Sequence, residues 1–300
     1  MNIDFSDIPH INPSTSIPTA MKFWQIYLAD QEKSEYTIKA FIGDLHLLIQ
    51  FLPPDITIGD ITTSDLNRFI EWLENGRGKN ISCSPKSLSR RITTLKSFFR
   101  WLFKHGRIRS DPAEEIVQHT VISPLPEVLT TSELGLVLET SNQIRHSDKP
   151  DARPITLLKL LLETGIKKSE CLNIKRSHIE INGESYLFVR YADRRDRNKE
   201  RKIPLSEEFI EIYKEYLNQY DPNEKVFPWS PRRLEYILED VSSAAGINKH
   251  LSFSMCRWNC ALSDWKIGVE KDTIRQKLGI SKIQWREIKM KLQQLDTLSE

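Results

Sequence analysis

The sequence predicts a mainly α protein with one small antiparallel β-hairpin or sheet in its C-terminal part, an α+β chain organised as two domains. Three observations carry this. Apolar residues recur at steps of three and four through most of the 300 residues, whereas a strand-like pattern stands out only around residues 185–205. Only 11 glycines supply turns and bulges for so long a chain, which tilts the expectation toward helix. Between about Val117 and Leu129 the periodicity lapses, and Pro124 and Pro126 stiffen the chain as a linker would. The expected organisation is an N-terminal arm of residues 1–17, a helical domain of 18–116, the linker of 117–129 and a second domain of 130–300.

The first domain reads as four helices. Pro18 to Asp30 carries Met21, Trp24, Tyr27 and Leu28 on one face, and Ser34 opens a second helix with Ile38, Phe41, Leu45, Leu48 and Leu52 at helical spacing. After Pro53-Pro54, Thr62 with Asp65 three residues on forms a capping box for a third helix, lined by Leu66, Phe69, Ile70 and Leu73 and ended by Gly76. The fourth runs from Ser84-Pro85 to Gly106. It buries Leu88, Ile92, Leu95, Phe99 and Leu102 on one stripe and presents Lys86, Arg90, Thr93, Ser97, Arg100 and Lys104 on the other.

In the second domain Thr130 and Glu133 form another capping box, with helical pattern through Val137. A polar loop is expected from Asn142 to Pro154, then the apolar run Ile155 to Leu162. Residues 185–191 read as a strand, 192–198 as a charged turn and 199–205 as the returning strand. Helices follow over about 206–219, 231–245, 254–267, 271–278 and 282–295.

Composition excludes several function classes. At 39% hydrophobic and 28% charged the chain is an ordinary globular one, and no apolar stretch approaches the roughly 18 residues a spanning helix needs. Residues 1–18 contain Asp4, Asp7 and Pro9 and no apolar leader core, which points to a cytoplasmic protein. The four cysteines, Cys83, Cys171, Cys256 and Cys260, form no CxxC and suggest reduced thiols. Cys256 and Cys260 share a helix face but lack a His or carboxylate partner set, so no metal and no cofactor is expected.

A formal net charge of +2 hides a strong asymmetry. Between Glu74 and Asp111 stand ten cations (Arg77, Lys79, Lys86, Arg90, Arg91, Lys96, Arg100, Lys104, Arg107 and Arg109) and no acid. A second excess runs from Lys249 to Lys291. A helix that packs by one side and offers cations and hydroxyls from the other suits duplex phosphates and groove edges, which makes double-stranded DNA the expected partner.

Three strings then stand in a telling order. Thr164-Gly165-Ile166-Lys167-Lys168-Ser169-Glu170 follows an apolar helix, Asn198-Lys199-Glu200-Arg201-Lys202-Ile203-Pro204-Leu205 forms the returning strand, and Arg257 precedes Leu278-Gly279 by 21 residues. Together with the basic helical domain, this resembles the tyrosine recombinases, the phage integrase and Xer-type family of site-specific DNA recombinases, over about Pro18 to Leu295. The resemblance implies a core-binding domain of four helices and a catalytic domain that clamp DNA in a C shape. It also implies a tyrosine that attacks a phosphodiester, two arginines that hold the non-bridging oxygens, and a hairpin lysine and histidines that assist proton transfer.

Against that pattern this chain departs at five of six positions. Lys167 stands at the first arginine and keeps the charge without the two-pronged donor. Asp196 falls at the hairpin lysine, with Arg195, Arg197 and Lys199 beside it as alternatives should the turn length differ. Ser254 replaces the histidine three residues before Arg257, which is unchanged, and Ile280 replaces the histidine of the family's LGH. Lys289 stands where the nucleophile is expected, and no tyrosine occurs after Tyr236. The expectation is a catalytically inactive, DNA-binding recombinase homologue at the nucleoid, with Lys86, Arg90, Ser97, Arg100, Lys104, Arg195, Arg197, Lys199 and Arg257 against DNA. Two alternatives stay open: an active recombinase with a displaced catalytic set, and a regulator that docks on a sister molecule or another recombinase through its C-terminal helix. Arg257 and Lys289 also have plainer readings, as a structural residue and a solvated lysine. Trp258, Trp265 and Trp285 read as core or subunit-contact residues.

Overall fold

The structure, a computed structural model, describes residues 11–78, 81–119, 121 and 123–298; the arm's residues 1–10 and Lys79 lie outside them. The chain divides into two compact units, Met1–Ser123 and Pro124–Glu300. The architecture is mainly helical with one small antiparallel sheet, as expected. None of the described helices is long and apolar enough to cross a membrane.

The first unit contains α1 (Ile17–Asp30), α2 (Glu35–Phe51), α3 (Thr63–Glu74) and α4 (Pro85–Lys104). Each of the last three starts where a hydroxyl satisfies an orphan backbone donor. The Ser34 side chain accepts from the Thr37 amide, Thr62 and Asp65 close a reciprocal capping box, and Ser84 accepts from the Ser87 amide with Pro85 opening the helix. The buried stripes meet in one core. Trp24 stacks on Phe41 with centroids 5.7 Å apart and meets Phe98 edge-on at 5.2 Å, above Leu45, Leu48, Leu66, Phe69, Phe99 and Leu102. Phe98 and Trp101 widen the buried stripe of α4 beyond the five residues that periodicity marks. After α4 the chain turns back, with Ile108, Ala113 and Ile116 buried in the same core.

In the second unit, α6 (Arg153–Thr164) is buried along most of its length, and α5 (Thr131–Arg145), α8 (Glu207–Tyr220), α9 (Pro231–Ala244) and α10 (Phe253–Lys266) surround it. The short α7 (Lys168–Cys171) follows α6. A sheet of order β1 (Ile179–Glu180), β2 (Tyr186–Val189) and β3 (Arg201–Pro204) buries Leu187, Val189 and Ile203, in the register Leu187↔Ile203 and Val189↔Arg201. Next to this core, α11 (Lys271–Lys277) and α12 (Lys282–Thr297) build a satellite cluster of Ala261, Leu262, Ile274, Leu278, Ile280, Leu292 and Leu295. Trp258, Trp265 and Trp285 pack half-buried against it.

Two local expectations need correction, and one short strand is an addition. The loop expected from Asn142 begins later, because α5 continues to Arg145: buried Ser141 donates its hydroxyl to the Val137 carbonyl at 2.7 Å, and Arg145 donates to Glu215 at 2.7 Å. The returning strand starts at Arg201, not Lys199. Residues Arg194–Lys199 coil into a 3-10 turn capped by Asp193, whose carboxylate accepts from the Arg195 amide at 2.9 Å. β1 is too short for its period to show in sequence.

Burial of Trp24 implies a large cavity on truncation. Trp24→Ala is expected to cost the first unit about 3–5 kcal/mol, read as a lowered midpoint in urea unfolding.

Candidate nucleic-acid interface and active site

On α4 the expected cationic face is divided. Lys86, Thr93, Arg100 and Lys104 are exposed and Ser97 is half-buried. Arg90 turns its fork toward α2, where Asp44 is only 3% exposed. Arg90 Nη2 donates to Asp44 Oδ1 at 2.8 Å, Nη1 donates to Oδ2 of the same carboxylate, and Thr94 Oγ1 donates to it at 2.8 Å. Arg91 Nε lies 3.5 Å from the same carboxylate and its Nη1 lies 2.6 Å from Cys83 Sγ. Asp44 thus draws two of the ten cations inward, and Lys86, Arg100 and Lys104 are the members of the expected stripe left exposed and without a salt bridge among the described residues.

In the second unit the residue strings converge on one carboxylate. Gly165 ends α6 with φ +58° and turns the chain into Lys167. Glu170, its side chain 1% exposed, accepts from the Lys167 amide at 2.7 Å, from Arg201 Nη1 at 3.1 Å and Nη2 at 3.0 Å, and from the Tyr191 hydroxyl. Burial pulls this carboxyl up, yet the Arg201 fork with Tyr191 and the amide outweighs it and holds Glu170 below its ordinary value. Arg201 Nε also donates to the Lys277 carbonyl at 2.6 Å. Gly279, φ +58°, makes room for this guanidinium: a Cβ there would lie 2.5 Å from Arg201 Nη1.

Two expected residues share this place. Arg257 donates from Nη1 to the Gly165 carbonyl and from Nη2 to the Leu278 carbonyl at 2.6 Å. Lys167 Nζ stands 3.5 Å from the Gly279 carbonyl. Burial, reinforced by Arg257, Lys199 and Arg201, lowers the Lys167 ammonium from its ordinary value, and burial likewise pulls Arg257 down. Asp196 and Lys199 pair with each other at 2.5 Å on the 3-10 turn, Arg195 pairs with Asp193, and Arg197 is exposed. Lys199, Arg201, Arg275, Gly279 and Gln284 help line an adjoining cleft of about 380 Å³.

The other expected positions are elsewhere. Ser254 is exposed in the first turn of α10, Ile280 is buried in the satellite cluster, and Lys289 is half-buried on α12. Three residues that carry the site, Glu170, Arg201 and Tyr191, were not singled out from sequence, although the first two lie inside the quoted strings. Tyr191 is the one tyrosine bonded into the pocket among the described residues, and burial with its bond to Glu170 pushes the phenol up. Burial pushes the Cys256 thiol up to about 12 and the Cys260 thiol up to about 11, away from the thiolate.

Residues 21–106 match the phage integrase N-terminal SAM-like domain, and residues 127–288 match the phage integrase family. The chain belongs to the phage integrase family. It is 25% identical over 286 residues to tyrosine recombinase XerC of Pediococcus pentosaceus, covering 89% of this chain and 90% of that one. To tyrosine recombinase XerD of Listeria innocua it is 24% identical over 280 residues, covering 89% and 91%. Its fold is similar to that of a lambda integrase dimer bound to a COC' core site, with a TM-score of 0.72, 16% identity and coverage of 93% and 78%. The family match ends at residue 288, one before Lys289.

Glu170→Gln leaves Arg201 buried without its counter-charge. It is expected to lower the stability of the second unit by about 3 kcal/mol in urea unfolding at pH 7. Because the folded carboxyl sits below its ordinary 4.5, the wild-type advantage is full above that pH and is lost as pH falls through the lowered value. The difference between wild type and Glu170→Gln should therefore shrink below about pH 4.5, and a pH-independent gap would contradict the assignment.

Proposed function

We propose that this phage integrase family member grips duplex DNA without cutting it, acting at the nucleoid as a pseudo-recombinase. The observation that carries the reading is that no tyrosine occurs after Tyr236, and Lys289 stands where the resemblance puts the nucleophile. An ammonium cannot form the tyrosyl-phosphate ester through which such a recombinase retains the energy of the cut strand. The pocket tyrosine does not offer itself instead: Tyr191 donates its hydroxyl to buried Glu170 and is pushed away from the phenolate that attack requires.

The DNA-holding elements remain on this reading. Lys86, Arg100 and Lys104 on α4 contact phosphates along a groove, and Ser97 lies between them. Arg195, Arg197 and Lys199 approach the backbone from the hairpin turn, and Lys167 and Arg257 present a cationic floor where the scissile phosphate would rest. Arg90 supports α4 through Asp44 and contributes to binding chiefly by that support. A lambda integrase with this fold has been solved as a dimer on a core site, and a homo-oligomer on paired half-sites is the form we propose here.

Two measurements test the reading. On a nicked suicide duplex, wild-type protein is expected to yield no covalent protein–DNA adduct; an adduct that disappears in Tyr191→Phe would establish the displaced-nucleophile alternative. In duplex binding across a salt series, replacing Lys86, Arg100 and Lys104 by alanine should reduce the log–log slope by about 0.9 for each phosphate that is no longer neutralised. An unchanged slope would remove α4 from the interface.

A further inference from the structure

After α4 the chain runs back along the outside of that helix in the opposite direction. Three contacts set the register: Asp111 lies within electrostatic reach of Arg100, the Glu114 carbonyl accepts from Lys96 Nζ at 3.3 Å, and Gln118 reaches Ser89 and Thr93. Buried Ala113 and Ile116 hold the segment on the core of the first unit. Residues 89, 93, 96 and 100 form one stripe at steps of four, three and four, so the segment borders the exposed face of α4 along its length.

Gln118, exposed at the end of this segment, has its amide nitrogen within hydrogen-bond distance of three oxygens of α4. Nε2 donates to the Ser89 carbonyl at 2.9 Å and to Thr93 Oγ1 at 2.8 Å, and lies 3.1 Å from Ser89 Oγ. Thr93 Oγ1 itself donates to the Ser89 carbonyl at 3.0 Å, so its oxygen is left to accept. The Ser89 carbonyl can only accept, which fixes the nitrogen of Gln118 against α4 and rules out the flipped amide. The side-chain oxygen is the remaining group, without a partner among the described residues.

We infer that Gln118 is a specificity-determining residue that reads a base edge beside α4, its fixed carbonyl oxygen accepting from an exocyclic amine in the major groove. Only adenine N6 and cytosine N4 offer such a donor there, so this residue selects for those bases on the strand facing it. Lys86, Arg100 and Lys104 set the helix on the phosphates, and Gln118 with its Ser89 and Thr93 anchors supplies a contact whose geometry is prepared before binding. A side chain already ordered in the free protein has little rotamer freedom left to lose on docking. This inference rests on the proposal that α4 faces duplex DNA.

The test is selection from a randomised duplex library with the full chain, comparing wild type, Gln118→Ala and Thr93→Val, together with a salt series for each. In the wild type, one base pair should show a preference for an amine-bearing base on one strand. In Gln118→Ala that preference should fall about tenfold, while preferences elsewhere and the salt slope persist, because an amide neutralises no phosphate. Thr93→Val removes one anchor and should weaken the preference at the same pair to a smaller extent. A selected sequence unchanged in Gln118→Ala overturns the assignment, as does a uniform loss at every position, which would mark Gln118 as a brace for the segment alone. Failure of the wild type to bind any duplex at low salt overturns the DNA-binding proposal and this inference with it, an outcome distinct from the other two.

Discussion

The carboxylate of Glu170 is the constraint on which the second unit's site depends. It accepts from the Lys167 amide, both Nη atoms of Arg201 and the Tyr191 hydroxyl, in a position almost closed to solvent. Those donors come from the turn after α6, from the end of β2 and from β3. Arg201 extends the linkage to the end of α11 through the Lys277 carbonyl, and Gly279 leaves the space it needs. One ionised side chain therefore fixes how the hairpin meets the helices that close the pocket. Removing it would strand a buried guanidinium rather than merely delete two hydrogen bonds.

The same arrangement decides the electrostatic character of the pocket. Lys199 is paired with Asp196, whereas Lys167, Arg201 and Arg257 share the field of Glu170, and the first and last of these are desolvated. Lys167 and Arg257 are both lowered, as expected of cations that crowd one another away from water. On the proposed reading, an entering phosphate would relieve that crowding. In the first unit Asp44 plays a comparable part by a different route: it gathers Arg90, Arg91 and Thr94 and fastens α4 to α2, leaving the exposed cations on the helix flank.

Much of this was legible in the sequence, and the omissions share a cause. Helix starts at Ser34, Thr62, Ser84 and Thr130 follow from hydroxyls placed before apolar periodicity, because capping is a local interaction. Lys167 and Arg257, carried over from the family's motifs, do meet at one place. Arg90 was assigned outward because periodicity fixes an angle around a helix axis; its partner Asp44, 46 residues earlier, belongs to another helix whose position no spacing reveals. Glu170 and Arg201 sat inside recognised strings without an assigned role, since burial and pairing are properties of the assembled site. The start of β3 was placed two residues early because Asp193 caps a 3-10 turn that consumes Lys199.

Positions 170 and 289 differ in what the fold asks of them. Glu170 and Arg201 form a buried pair in which loss of one leaves the other unsatisfied, Gly279 leaves room for the guanidinium, and Arg257 is held separately by the Gly165 and Leu278 carbonyls. The side chain of Lys289, half-buried on α12, makes no hydrogen bond or ion pair among the described residues. The helix is held instead by Leu292 and Leu295 in the satellite cluster and by its Ser281 cap with Gln284. A substitution at 289 therefore disturbs no polar contact among the described residues, whereas removing Glu170 strands the buried guanidinium of Arg201. On the proposed reading, a lysine at 289 would leave the contacts of Glu170 and Arg201 in place, so the fold of this pocket does not depend on the residue at 289.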